Sequence, residues 1–172
     1  KETGSEIGQN PQILTSVVRK VKAVVKVPVF VKLSPNVTDI VEIAEAAAKA
    51  GADALTATNT VKAIAIDVET KMPILSNRGG GLSGSAVKPI ALRCVYDLYA
   101  RVKVPIIGCG GVTNWQDAIE YLLAGATAVQ VGTAVATEGP VVFKAISHGI
   151  NSYLNRKGYK RVEDIVGLSH RS

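Results

Sequence analysis

The feature that most constrains this chain is a module that occurs twice. Val25-Lys-Val-Pro28 returns as Val102-Lys-Val-Pro105, 77 residues later, and Ala50-Gly-Ala52 returns as Ala124-Gly-Ala126, 74 residues later. In each copy the first motif leads into a β-branched run and the second closes an alanine-rich helical stretch. Near-equal offsets mean that a unit of two strands and two helices is repeated. Such units bury their apolar faces only by lying side by side, which makes a parallel α/β sheet. The pattern predicts strands over 28–33, 54–58, 104–109 and 128–131, the first of them buried. Helices are expected over 12–25, 38–50, 85–102, 114–124 and 140–156, with a short one over 162–166. Asn10-Pro11 supplies a cap and first position, Gly51 and Gly125 end helices, and Pro89 interrupts one early.

Repeated βα units are the material of (β/α)8 barrels. A doubly wound open sheet is the rival, but no G-x-G-x-x-G follows a first strand. A full barrel needs about 250 residues, and this chain has 172. It is therefore expected to form a single segment, 1–172, amounting to half a barrel. Residues 61–84 break the rhythm. The run VKAIAIDVETKMPIL alternates on either side of Glu69-Thr-Lys71, which predicts a small hairpin inserted at the face carrying barrel active sites.

The composition excludes several classes. Apolar residues make up 47%, so the chain is globular. No stretch approaches the roughly 18 apolar residues of a membrane span, and the first ten residues are polar. The only Met is Met72, so Lys1 is read as following earlier sequence. Cys94 and Cys109 make no disulfide framework, and a cytoplasmic setting is expected. The net charge of +6 fits solvated helix faces better than nucleic acid, because aromatics are only 5% and no basic run carries stacking residues.

The chemistry collects at strand ends. Gly108-Cys-Gly-Gly111 and Val131-Gly-Thr133 end successive strands one βα unit apart, an arrangement suited to a phosphate held by backbone N–H groups. Gly79-Gly-Gly-Leu-Ser-Gly84 offers a third glycine-rich approach. Lys32 ends an apolar run, Val29-Phe-Val-Lys-Leu33, and is followed by Ser34-Pro-Asn36. A buried Lys there needs a partner or a ligand. Thr58-Asn59-Thr60 ends the next strand, and Asn59 presents both donor and acceptor. Turn capping explains Asn59 equally well. Cys109 has no neighbouring base and reads as a packed thiol. His148 and His170 read as surface positions, and no metal-ligand spacing occurs.

In this order the motifs resemble those of class 1 dihydroorotate dehydrogenases. They are Val-Lys-Leu-Ser-Pro-Asn at 31–36, Thr-Asn-Thr at 58–60, Gly-Gly-Leu-Ser-Gly at 80–84 with Lys88-Pro89, Ile-Gly-Cys-Gly-Gly at 107–111 and Val-Gly-Thr at 131–133. The resemblance spans residues 4–166. It implies the C-terminal half of a TIM barrel, strands 5–8, and FMN-dependent oxidation of dihydroorotate to orotate in pyrimidine biosynthesis, with hydride passing to the flavin. Lys32 would sit by the flavin pyrimidine edge and Thr58 beside the ring. Gly84, Gly110, Gly111, Gly132 and Thr133 would hold the ribityl-phosphate. Asn59 and Thr60 would bind orotate. No catalytic residue falls in the chain: the family's base, a Cys or Ser, lies on a loop whose register places it just before Lys1. Expected partners are the N-terminal half of the same barrel, a second copy and an electron-transfer subunit. Three electron acceptors stay open: fumarate, NAD or a quinone. So do a related FMN barrel that reduces pyrimidine bases or tRNA uridines, and a non-catalytic phosphate-binding or assembly module.

Overall fold

A computed structural model describes residues 7–171. The start of the resemblance, at residue 4, lies outside them. Helix α1 (Pro11–Val24) begins where the sequence places it. The Asn10 side chain accepts from the N–H groups of Gln12 and Ile13, and Pro11 fills a position whose N–H has no helical partner. Next come β1 (Phe30–Leu33), α2 (Ile40–Lys49) capped by Asp39, and β2 (Ala54–Ala57). The inserted segment carries four short strands: β3 (Val61–Ala63), β4 (Ile66–Asp67), β5 (Met72–Pro73) and β6 (Gly80–Leu82). A 3₁₀ turn at Ser85–Val87 leads into α3 (Lys88–Tyr99), followed by β7 (Ile106–Cys109) and α4 (Trp115–Ala124). The chain continues through β8 (Ala128–Gln130), α5 (Thr133–Glu138) and α6 (Val141–Lys157).

The four long-range strands form one parallel sheet in the order β1-β2-β7-β8. Spatial order follows chain order without the reversal that marks a doubly wound sheet, as expected for a segment of barrel wall. In register, Lys32 lies beside Thr56, Thr56 beside Ile107, and Cys109 beside Gln130. Alternate residues Val31, Leu33, Leu55, Ala57 and Ile106 face the helices. There they pack with Ile43, Ala44, Ala47, Ala91, Val95 and Leu98 in one core. β1 therefore departs from the expectation of a buried strand: Phe30 is 56% exposed and Lys32 is exposed, while Val31 and Leu33 are buried. Only the helix-covered face of this strand is packed.

Gly108 is on that helix-covered face, and a Cβ there would run into the Tyr121 ring of α4. The bare strand lets the helix seat closely enough to bury Tyr121 completely. The inserted segment forms two antiparallel pairs rather than one hairpin. β4 pairs with β5 around the turn at 68–71, and β3 pairs with β6 outside them. Glycines that read as a loop thus supply a strand. α5 is a further difference, a separate short helix before α6.

His170 is half-buried rather than a free surface position. It stacks on Tyr96 with ring centroids 3.8 Å apart, and its Nε2 lies 3.0 Å from the Ala124 carbonyl. Two neighbouring carbonyls at the end of α4 are satisfied the same way, Leu122 by the Gly167 N–H and Leu123 by the Ser169 hydroxyl. The C-terminal segment is thereby fixed as a cap on α4. The close fit of Tyr121 on Gly108 gives a direct test. Gly108→Ala is expected to lower the unfolding free energy by about 1–3 kcal/mol, read as a fall in the urea midpoint. An unchanged midpoint would contradict the packing described.

Candidate functional site

At the C-terminal ends of the parallel strands lies a cavity of about 280 Å³. Lys32, Thr58, Asn59, Thr60, Gly84, Gly110, Gly111, Gly132 and Thr133 all line it. The nine positions come from five separate segments, and the sheet register brings them together. Beyond the last ladder residues, the Thr58 N–H donates to the Cys109 carbonyl at 2.7 Å and the Asn59 N–H to the Leu33 carbonyl at 2.7 Å. The strand end carrying Thr58 and Asn59 is thus held from both sides. Thr58 is buried, whereas Asn59 and Thr60 are exposed, and the Asn59 side-chain oxygen accepts from the Thr60 N–H at 2.9 Å.

The two glycines at the end of β7 adopt left-handed backbone, with φ of +136° at Gly110 and +69° at Gly111. Each also sits against a neighbour: a Cβ would lie 2.8 Å from Ala91 Cβ or 2.7 Å from Lys88 Cβ. Tight turning and close packing therefore account for these two by themselves. Gly132 is different. Its φ is ordinary and a Cβ would meet no protein atom within 4 Å, yet it borders the cavity. A side chain there would intrude on open space rather than on the fold. Thr133 opens α5, which has no side-chain cap, so the first N–H groups of that turn lack helical partners. The Thr133 hydroxyl lies 2.9 Å from the Ser83 hydroxyl and ties this turn to the loop after β6.

Behind the glycine turn is a charged clamp. Asp117 is buried and closes a capping box with Asn114. One of its oxygens accepts from Lys88 Nζ at 2.7 Å, and the other from the Thr113 N–H and hydroxyl at 2.9 and 2.7 Å. Lys88 also reaches Glu120 at 3.0 Å. The Tyr121 hydroxyl donates to the Gly110 carbonyl at 2.7 Å, and burial pushes its pKa up. Burial alone would raise the Asp117 pKa. The Lys88 ammonium and the Thr113 donors outweigh it and hold the carboxyl below its ordinary value. The same pairing, chiefly with Asp117, raises Lys88.

Lys32 projects onto the open face of the sheet, with Nζ 3.7 Å from Cys109 Sγ. Cys109 therefore lines the cavity rather than serving only as a packed thiol. Sequence reasoning missed it, although a signal existed: Lys32 and Cys109 occupy equivalent positions of the 77-residue repeat. Ser83 was missed as well. Among the described residues neither Lys32 nor Lys62 has a carboxylate within 4 Å. A second cavity, also of about 280 Å³, adjoins the first and shares Lys32, Asn59 and Thr60 with it. Its remaining wall includes Ser34, Asn36 and Lys62. Asn36 fixes this wall, donating to the Thr60 carbonyl at 2.9 Å and accepting from the Lys62 N–H at 2.8 Å. Among the described residues, no group of three His, Cys, Asp or Glu is placed to hold a metal. No helix there is long and apolar enough to cross a membrane.

The clamp fixes a pH dependence. A carboxyl lowered in the fold contributes stability in full above its unfolded value, about 4, and loses it as pH falls through the folded value. Asp117→Asn is expected to cost about 1.5–3 kcal/mol at pH 7 and to flatten the stability profile below pH 4. The raised Lys88 contributes fully at neutral pH and loses its share only as pH rises through its folded value. Urea unfolding from pH 2 to 8 checks this, and parallel profiles for variant and parent would contradict it.

The comparisons with known proteins converge. Residues 1–154 match the family model described as "Dihydroorotate dehydrogenase". The chain is 57% identical over 169 residues to the "Dihydroorotate dehydrogenase B (NAD(+)), catalytic subunit" of Pyrococcus abyssi, covering 98% of this chain and 56% of that protein. It is 55% identical over 171 residues to the protein of the same name from Methanocella arvoryzae, covering 99% and 56%. The crystal structure of DHODH from Eimeria tenella in complex with ferulenol superposes with a TM-score of 0.79 at 29% identity, covering 96% of this chain and 50% of that one. The chain thus spans about half the length of the relatives it matches.

Proposed function

Because the chain belongs to the dihydroorotate dehydrogenase family, we propose that it forms the flavin- and orotate-contacting half of an enzyme oxidising dihydroorotate to orotate. The observation that carries this reading is the single cavity joining Lys32, Asn59 and the two glycine-rich strand ends. The high-identity relatives are NAD(+)-type catalytic subunits, which supports NAD as the final acceptor, reached through a separate electron-transfer subunit. The segment is read as the C-terminal half of a TIM barrel. Its open face, with Phe30 and Lys32 exposed, is completed by the N-terminal half of the same barrel.

The residues fit FMN at its phosphate and pyrimidine-edge ends. Gly84, Gly110, Gly111, Gly132 and Thr133 would surround the ribityl-phosphate, with Gly132 leaving open space where a Cβ would stand. Among the described residues no acidic side chain lines this cavity to repel an anion. Lys32 and Thr58 would lie by the ring, and Asn59 and Thr60 would meet orotate. When bound, the flavin supplies the two-electron acceptor. The role of Lys32 is electrostatic: a fixed ammonium favours negative charge as it develops nearby. Asn59 offers an amide whose orientation is set by the Thr60 N–H. The proton lost from dihydroorotate goes to a base that none of the motifs in this chain supplies. Cys109 is set aside for that role in this reading, because it lines the cavity assigned to the flavin and not the second one.

Visible absorbance of the segment purified together with the N-terminal half of its barrel is the first test. Flavin bands that shift on adding orotate support the reading. Flavin bands indifferent to orotate favour a different flavin barrel, and absence of flavin binding would overturn the reading. Lys32→Ala is expected to slow flavin reduction by about 10²–10³-fold while weakening FMN binding by less than about tenfold. Stopped-flow reduction and FMN titration separate the two. Loss of FMN retention with unchanged reduction kinetics would contradict the assigned role.

A further inference from the structure

A peptide flanked by two glycines lacks the steric restraint that orients other peptides, and the turn after β7 contains one. Gly110 and Gly111 both have positive φ, +136° and +69°, and with no Cβ on either side the peptide joining them can turn over at little cost. Its orientation decides what it shows the first cavity, because a trans peptide points its C=O and N–H to opposite sides. One orientation offers the Gly111 N–H to the cavity, and the other offers the Gly110 carbonyl.

The Tyr121 hydroxyl selects between the two. It donates to the Gly110 carbonyl at 2.7 Å. Both glycines line the cavity and Tyr121 does not, so the bond pulls the carbonyl to the far side. The Gly111 N–H is thereby directed away from α4 and towards the open space. Among the described residues it meets no acceptor. Tyr121 is a well-fixed donor: its ring is fully buried against the bare face of Gly108, and burial pushes the hydroxyl pKa up, which keeps it protonated. The Asp117 clamp grips Lys88 and Thr113, and none of its bonds reaches this peptide. Resting on the reading of this cavity as the flavin site, we propose that Tyr121 is a positioning residue for the flavin phosphate, its hydroxyl holding the Gly110 carbonyl back so that the Gly111 N–H donates to the phosphate. The reverse orientation would set a carbonyl against an anion. Gly132 and Thr133 would approach the same phosphate from the neighbouring strand end without help from Tyr121, so losing the hydroxyl weakens binding rather than abolishing it.

The test uses the flavin-free enzyme with both halves of its barrel present. It is titrated with FMN and with riboflavin, which has the same ring and ribityl chain but no phosphate, and quenching of flavin fluorescence reads both affinities. Tyr121→Phe keeps the ring on Gly108 and removes only the hydroxyl. It is expected to weaken FMN binding roughly tenfold, the scale of one hydrogen bond to a charged acceptor. Riboflavin binding is expected to change by less than about twofold, since it carries no group for the Gly111 N–H to meet. Equal FMN affinity in Tyr121→Phe and parent overturns this proposal and leaves the function standing. Equal losses for FMN and riboflavin overturn it too, by showing a general loosening of the site. A parent enzyme that binds riboflavin as tightly as FMN, or binds neither, overturns the reading of the cavity and the proposal together.

Discussion

The Asp117 carboxylate is the interaction on which the site depends. It gathers Lys88 from the start of α3 and Thr113 from the turn after β7, and it completes the cap of α4. Each of these elements borders the glycine turn. Gly110 and Gly111 carry the left-handed backbone of that turn, and the groups that hold it lie behind it. Tyr121 adds a second tie through the Gly110 carbonyl, and the bare face of Gly108 is what admits its ring. Removing one partner of the clamp leaves a mostly buried charge unpaired, which costs more than the pair contributes by forming.

From this clamp the rest of the site follows in layers. The sheet carries Lys32, Thr58 and Cys109 to one end, and backbone bonds from Thr58 and Asn59 hold the strand ends together. The inserted strands then bring Ser83 to Thr133 and Lys62 to Asn36, closing the two cavities from the side. Positive charge is held along the shared wall without carboxylate neighbours among the described residues. That is the electrostatic setting an anionic cofactor and an anionic substrate both need.

The site was more legible in the sequence than the fold details were. Strand-end motifs such as Thr58-Asn59-Thr60 keep their chemistry within three residues, and the repeat tells which ends lie together. What escaped reading depended on long-range partners. Pairing of β3 with β6 gives Gly80 and Gly81 a strand identity that their flexibility conceals locally. His170 finds its carbonyl partner 46 residues away, so its polar look misplaced it on the surface. α5 spans too few residues to show helical periodicity. Cys109 looked structural because thiols usually pack, whereas its parity with Lys32 in the repeat turns it to the same open face.

The central claim is that FMN occupies the cavity floored by Lys32 and Cys109. Alkylation of the two cysteines by iodoacetamide, followed by mass spectrometry with and without FMN, tests it most directly. At an FMN concentration ten times its Kd, Cys109 is expected to react about tenfold more slowly. Cys94, which is outside the cavity and whose pKa is raised by burial, is expected to react at the same rate in both samples. Equal Cys109 rates with and without bound FMN would contradict the account.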